Sequence, residues 1–252
     1  MYDILLIKDL LFYITEFLDD STSFKLFRTN KLLNSFLKNN PKRYKVKKVF
    51  YTGFSYDNKP VIENYTITNI HVYNLSYIPK KHNHIYSLKT DYNCNDNVDN
   101  LPENIRVLFL GQKFQQKIDH LPCNLLKLTI WGYFNNEINY LPKTLQTLIF
   151  QNYSFFNQPI DHLPDGLEYL ELGHNFNQPI NKLPSNLKIL KFGYCFNQEV
   201  DKLPQSLREI HFGFSFDKNI DELPKNIEVI TIHQKYKNIM KGFHKLKTFN
   251  CV

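Results

Sequence analysis

Glycine is scarce in this chain, eight residues in 252, and alanine is scarcer still. No glycine-rich loop of the kind that cradles phosphates can be drawn from so few, which removes the usual nucleotide-binding motifs. Cysteine is equally thin. Cys94, Cys123, Cys195 and Cys251 stand far apart with no Cys-x-x-Cys pair, so neither a zinc ribbon nor a disulfide framework is encoded. Widely spaced, reduced thiols suit the cytoplasm or the nucleus. His-x-x-x-His and His-Glu-x-x-His spacings are missing as well, so the sequence points to no metal, no cofactor and no catalytic centre. Long apolar runs are also lacking. The hydrophobic N-terminal stretch is broken by Asp3, Lys8, Asp9 and Glu16, which argues against a secretory signal or a membrane span.

What the chain does have is a beat. Leu-Pro recurs at Leu101-Pro102, Leu121-Pro122, Leu141-Pro142, Leu163-Pro164, Leu183-Pro184, Leu203-Pro204 and Leu223-Pro224, in steps of 20 residues with a single step of 22. Regularity of this length marks a stack of equivalent units. Counted from the leucine, apolar residues fill the first, fifth, eighth, tenth, fourteenth and eighteenth places, as in the unit that begins at Leu183. Around Leu187, Leu190 and Phe192 the alternation has the period of two that a half-buried strand requires. Each unit therefore predicts one short strand, a corner at the glycine of the eleventh place, and a return leg that proline keeps from becoming helical.

Stacking makes two further expectations. Phe114, Phe134, Phe156, Phe176, Phe196, Phe216 and Tyr236 share the fourteenth place and should form one aromatic column in the core. The next place holds Asn135, Asn157, Asn177 and Asn197, expected as a buried amide ladder that satisfies main-chain groups at a turn.

Leu-x-x-Leu-x-Leu followed by a turn is the leucine-rich repeat pattern, and Phe-Asn-Gln-Pro-Ile at 156–160 and 176–180 narrows it. These residues resemble the FNIP repeats of social amoebae and giant DNA viruses, over about residues 81–236. Upstream, Ile85-x-x-Leu88-x-Thr90 with Cys94-Asn95 and Val98-Asp99 reads as one more unit. Ile67-x-x-Ile70-x-Val72 reads as a shorter one, and 46–51 as a first strand. Tyr236 to Gly242 and Leu246-x-x-Phe249 read as a C-terminal cap.

Residues 1–44 follow another pattern. Ile7, Leu10, Leu11, Ile14 and Leu18 recur at helical spacing, and Phe24, Phe27, Leu32, Leu33, Phe36 and Leu37 continue it up to Pro41, predicting three small helices. The fold class that follows is α+β: a helical head (1–44), a junction (45–80), a leucine-rich-repeat-like solenoid (81–236) and a cap (237–252). The run from Leu6 to Leu18 resembles the opening of an F-box, with Ile7 where that family carries proline. The resemblance implies a Skp-type adaptor and a cullin as partners, with Leu6, Ile7, Leu10, Leu11, Ile14, Phe17 and Leu18 at the adaptor contact. A head that merely caps the first coil is the alternative.

Charge is concentrated near the head: residues 1–50 hold ten Lys/Arg against five Asp/Glu, within a net charge of +7. The patch from Lys38 to Lys48 reads as a solvated junction, and without a groove-reading motif no nucleic-acid partner is expected. Activity is then expected on the strand face, at the seventh, ninth and twelfth places. There Ile149, Tyr169, Ile189, Tyr194 and Phe214, with Trp131 beside them, are more apolar than a wet surface needs and form the expected target-binding face. The sequence thus reads as a non-enzymatic substrate receptor of a cullin-type ubiquitin ligase, or as a plain protein-interaction module.

Overall fold

The computed structural model describes residues 49–51, 69–72, 75, 78, 85–151, 153–235 and 248–251. Eleven short strands follow one another: β1 (Val49–Tyr51), β2 (Asn69–Val72), β3 (Ser87–Thr90), β4 (Val107–Leu110), β5 (Lys127–Ile130), β6 (Thr147–Phe150), β7 (Tyr169–Glu171), β8 (Ile189–Lys191), β9 (Glu209–His211), β10 (Val229–Ile232) and β11 (Thr248–Cys251). They form one sheet whose spatial order is the chain order, and the pairing is parallel throughout. Register follows the repeat. Leu148 pairs with Leu170, Leu170 with Leu190 and Leu190 with Ile210, so the eighth place makes an unbroken apolar row, buried from Leu88 in β3 to Ile230 in β10.

Proline and the fifth-place residue close each coil. The N–H of Ile105, Leu125, Leu145, Leu167, Leu187, Leu207 or Ile227 donates to the carbonyl of the proline three residues earlier, at 3.0–3.2 Å. That bond is a tight turn, and proline opens it at no cost to any ladder because it has no N–H to satisfy. Just after the turn the sixth-place N–H donates to the carbonyl at the same place of the preceding coil, as in Lys188 to Glu168 (2.8 Å) and Arg208 to Lys188 (2.8 Å). Inter-coil bonding thus starts before the strand does.

These turns correct the expected fold class. Among the described residues there is no α-helix; they form an all-β parallel solenoid, and the α+β description does not hold. The return legs are non-helical as expected: their backbone bonds within a coil are isolated turns, such as Leu187 N–H to Pro184 (3.2 Å) and Leu223 N–H to Ile220 (3.2 Å). The helical head expected at 1–44 lies outside the described residues, as does Tyr236 of the aromatic column.

Packing inside the coils follows the sequence closely at the phenylalanines. Phe114, Phe134, Phe156, Phe176, Phe196 and Phe216 are fully buried and stack at centroid spacings of 6.0–6.2 Å. A second set from the tenth place, Phe150, Phe192 and Phe212, lies against them at 3.6–3.9 Å. Ile85, Leu88, Thr90, Cys94 and Val98 are buried in the same places one unit upstream. Thr90 fits there because its Oγ1 accepts the Gly111 N–H at 2.8 Å.

The asparagines differ from expectation: they sit at the surface, not in the core. Asn135 and Asn177 are exposed, while Asn157 and Asn197 are partly so. Each side-chain oxygen instead accepts the backbone N–H at the same place of the next coil. Asn135 receives Asn157 (2.8 Å), Asn157 receives Asn177 (2.9 Å), Asn177 receives Asn197 (2.8 Å) and Asn197 receives Asp217 (3.1 Å). Asn95 does the same for Gln115 at 2.8 Å. The ladder is real, but the side that needs it is the outer corner, where strand pairing has ended and main-chain N–H groups would face water unsupported.

The eleventh-place glycine is likewise required for a different reason from the expected sharp corner. Among the described residues the one left-handed φ, 76°, is at Gly132, which stands at the twelfth place after Trp131. At Gly193 and Gly213 the constraint is close stacking: a Cβ would run into the carbonyl oxygen of Gly173 and of Gly193, respectively.

Candidate functional site

Two surfaces carry the unusual side chains. The first is the strand face, formed by the seventh and ninth places, where side chains of adjacent strands stand side by side. The ninth-place row reads Phe109, Thr129, Ile149, Glu171, then Lys191 and His211; the seventh-place row includes Tyr169, Ile189 and Glu209. Ile149, Tyr169 and Ile189 are each half-buried. Tyr169 donates its hydroxyl to Glu171 Oε2 at 2.7 Å, and Lys191 Nζ lies 5.3 Å from the Tyr169 ring centroid. Burial, then the Glu171 hydrogen bond, push the Tyr169 phenol well above its ordinary range. His211 is pushed the other way, below its usual value, by burial and by the Lys191 charge, although Glu209 opposes the shift from 3.7 Å. This face is a packed mosaic of paired groups.

The second surface is the corner just after the strands, and here the rings stand free. Tyr194 and Phe214 are 46% and 39% exposed, and they belong to one column with His174: successive centroids are 5.0 Å apart with planes within 12°. Tyr153 extends the column beyond His174 at 6.5 Å. At the other end His233 meets Phe214 edge-on at 4.5 Å, and Lys235 Nζ sits 3.8 Å from the Phe214 centroid. Further along the same corner Tyr133 packs on Phe155 at 5.4 Å, and Trp131 meets Tyr92 edge-on at 6.2 Å.

The expected target-binding residues therefore separate. Ile149, Tyr169 and Ile189 belong to the strand face, whereas Trp131, Tyr194 and Phe214 belong to the corner. Tyr92, Tyr133, Tyr153, Phe155 and His174 were missed as partners of that second group. Two signals for them lay in the sequence. The single 22-residue step inserts residues just after Phe150 and pushes Tyr153 and Phe155 outward, 73% and 50% exposed. His174 shares the twelfth place with Tyr194 and Phe214, which sets it in line with their rings. The expected adaptor contacts, Leu6, Ile7, Leu10, Leu11, Ile14, Phe17 and Leu18, lie outside the described residues.

Among the described residues no three His, Cys, Asp or Glu side chains come close enough to share a metal ion, and no helix is long and apolar enough to cross a membrane. Cys94 is buried, and its burial raises the thiol pKa. Cys123 is exposed, its thiol raised chiefly by a hydrogen bond to Glu103.

Strand order, register and coil length define a leucine-rich-repeat-like solenoid. Residues 156–195, 180–215 and 196–235 match the FNIP Repeat, so the C-terminal half of the array is similar to repeats of that type. The chain is also similar to the crystal structure of CroV588, described as a novel circular LRR protein. The TM-score is 0.60 and the identity 28%, over 73% of this chain. It spans only about a third (33%) of that protein's length. Among curated proteins none matches the chain.

Proposed function

We propose that the solenoid is a protein-recognition module. The observation that carries this reading is the corner column of Tyr153, His174, Tyr194 and Phe214, with its rings held in place by stacking yet open to solvent. Aromatic side chains contribute large contact area at low cost in side-chain entropy, and anchors fixed before the encounter lose little freedom on binding. A parallel solenoid supplies that rigidity, because every rung is tied to the coils on either side. Photo-crosslinking from a probe placed at Gln234, in a cell extract, tests the reading. Discrete polypeptides competed away by unlabelled protein are the expected result, and diffuse labelling insensitive to competitor would overturn it.

The finer reading is that of a substrate receptor in a cullin-type ubiquitin ligase. It rests on the likeness of Leu6 to Leu18 to an F-box opening, and the array would then hold a target at a fixed distance from the transfer machinery. Co-elution of the full chain with a purified Skp-type adaptor is expected, and Leu10→Asp with Leu11→Asp should abolish it while the protein stays folded. Failure of the wild-type chain to co-elute removes the ligase role and leaves the recognition module standing.

A further inference from the structure

The identity of what the corner recognises is constrained by which part of each ring is available. Tyr194 has His174 against one face and Phe214 against the other, both at 5.0 Å and nearly parallel. Its 46% exposure is therefore exposure of the ring edge. Phe214 is enclosed in the same way by Tyr194 and by the Lys235 ammonium at 3.8 Å. An aromatic edge carries the positive part of the ring quadrupole, so the column presents a positive rim. A nucleobase needs a free ring face to stack upon, and the faces of Tyr194 and Phe214 are occupied.

Formal charge has the same sign along the corner. From Gly111 to Lys235 the corner segments, from Gly111–Lys113 to His233–Lys235, contain no Asp or Glu. They do contain Lys113 and Lys235, and His174 and His233. Yet the chain has 24 carboxylates. Many lie elsewhere on the coil: Asp99, Asp119, Asp161, Asp201 and Asp221 all stand two residues before the Leu-Pro pair, on the return leg. From Gly111 to Lys235 the corner is clear of carboxylates, Asp91 standing at its upstream end beside Tyr92, and such a surface lined with ring edges is complementary to oxygen anions and carbonyls.

We propose that this corner binds an extended acidic segment of a partner protein, its carboxylates and main-chain carbonyls lying against the aromatic rim and the Lys235 ammonium. The inference deepens the recognition role above and rests on it. Electrostatic complementarity of this sort sets specificity and encounter rate more than raw affinity, so the segment's charge should matter more than its detailed sequence.

The test uses the full chain and three fluorescein-labelled probes at about 0.15 M salt, where bulk attraction is screened beyond about 8 Å. The probes are a peptide of alternating Glu and Val, its Lys–Val counterpart, and an oligothymidylate, each followed by anisotropy. Expected is binding of the Glu–Val peptide at least about tenfold tighter than either other probe. Lys235→Glu, and separately Tyr194→Ala with Phe214→Ala, should each weaken it by about tenfold or more. Lys225→Glu changes net charge equally on an exposed residue beside the Leu-Pro turn and should leave it unchanged. Thermal melts establish that each variant is folded, and Lys235→Glu alone decides the matter if the double variant is not. The proposal is overturned by no preference for the acidic peptide, by tightest binding to oligothymidylate, or by equal weakening from Lys225→Glu. Crosslinked partners that persist in a folded Tyr194→Ala, Phe214→Ala protein would overturn the corner assignment while leaving the recognition role intact.

Discussion

The Asn197 backbone N–H donates to the Oδ1 of Asn177 at 2.8 Å, one coil away, and Gln198 adds its side-chain amide to the same oxygen at 3.1 Å. What this position requires is an acceptor. Asn177→Ala should cost about 1 kcal/mol, the usual net worth of such a bond. Asn177→Asp, which keeps an oxygen in place, should cost distinctly less; Asp217 already stands at this position two coils on. Urea unfolding of the two variants makes the comparison, and equal losses would contradict the acceptor role.

The interior column gives a larger effect. Phe176 is fully buried between Phe156 at 6.2 Å and Phe196 at 6.1 Å. Phe176→Ala should destabilise by about 3–5 kcal/mol through lost burial and the cavity left behind. Phe155→Ala, on a half-exposed ring, should change stability by no more than about 1 kcal/mol. Denaturation midpoints separate the two outcomes easily.

Close stacking of the corner backbones predicts intolerance of a single methyl group. Gly193→Ala places its Cβ into the Gly173 carbonyl, so the coils must separate, and a loss of at least about 2 kcal/mol is expected. A melt showing no loss would mean the spacing between these coils is looser than described.

His211 adds a pH dependence with a definite sign. Burial first, then Lys191, lower its pKa below the ordinary 6.5, so the unfolded chain binds this proton more readily than the folded one. Stability contributed by the neutral imidazole is present above pH 6.5 and is lost as pH falls below 6.5 toward the folded-state value. His211→Gln should therefore reduce the fall in urea midpoint between about pH 7.5 and about pH 5.5. An unchanged fall would assign the acid sensitivity to other groups.

How much of this was legible from sequence depended on whether a position is defined by burial or by its neighbour one coil away. Leu190, Phe192 and Phe196 announce themselves, because apolar spacing encodes the inside of a coil directly. Asn177 does not, since a polar residue amid apolar ones reads as buried when the sequence is viewed as a single coil. Only the stacked partner reveals that its oxygen serves the outer edge. The same holds for His174, ordinary by itself and part of a column once Tyr153 and Tyr194 are set beside it. Tyr169 illustrates the converse: its half-buried setting comes from Glu171, which accepts its hydroxyl, and from Lys191, whose ammonium lies 5.3 Å from its ring centroid. The α+β expectation rested on the helical spacing of 1–44, outside the described residues; the coils of β4 to β10 turn on proline and return without helix.

Because the strands lie in space in the order in which they are translated, and each coil meets the next through the same bonds, length is a free variable in this architecture. Excising residues 183–202 would bring Lys182 onto Leu203, the same seam that Lys202 forms with Leu203 now. Tiles could be gained or lost by simple duplication or deletion in the gene, shortening or prolonging the aromatic rail without redesigning any joint.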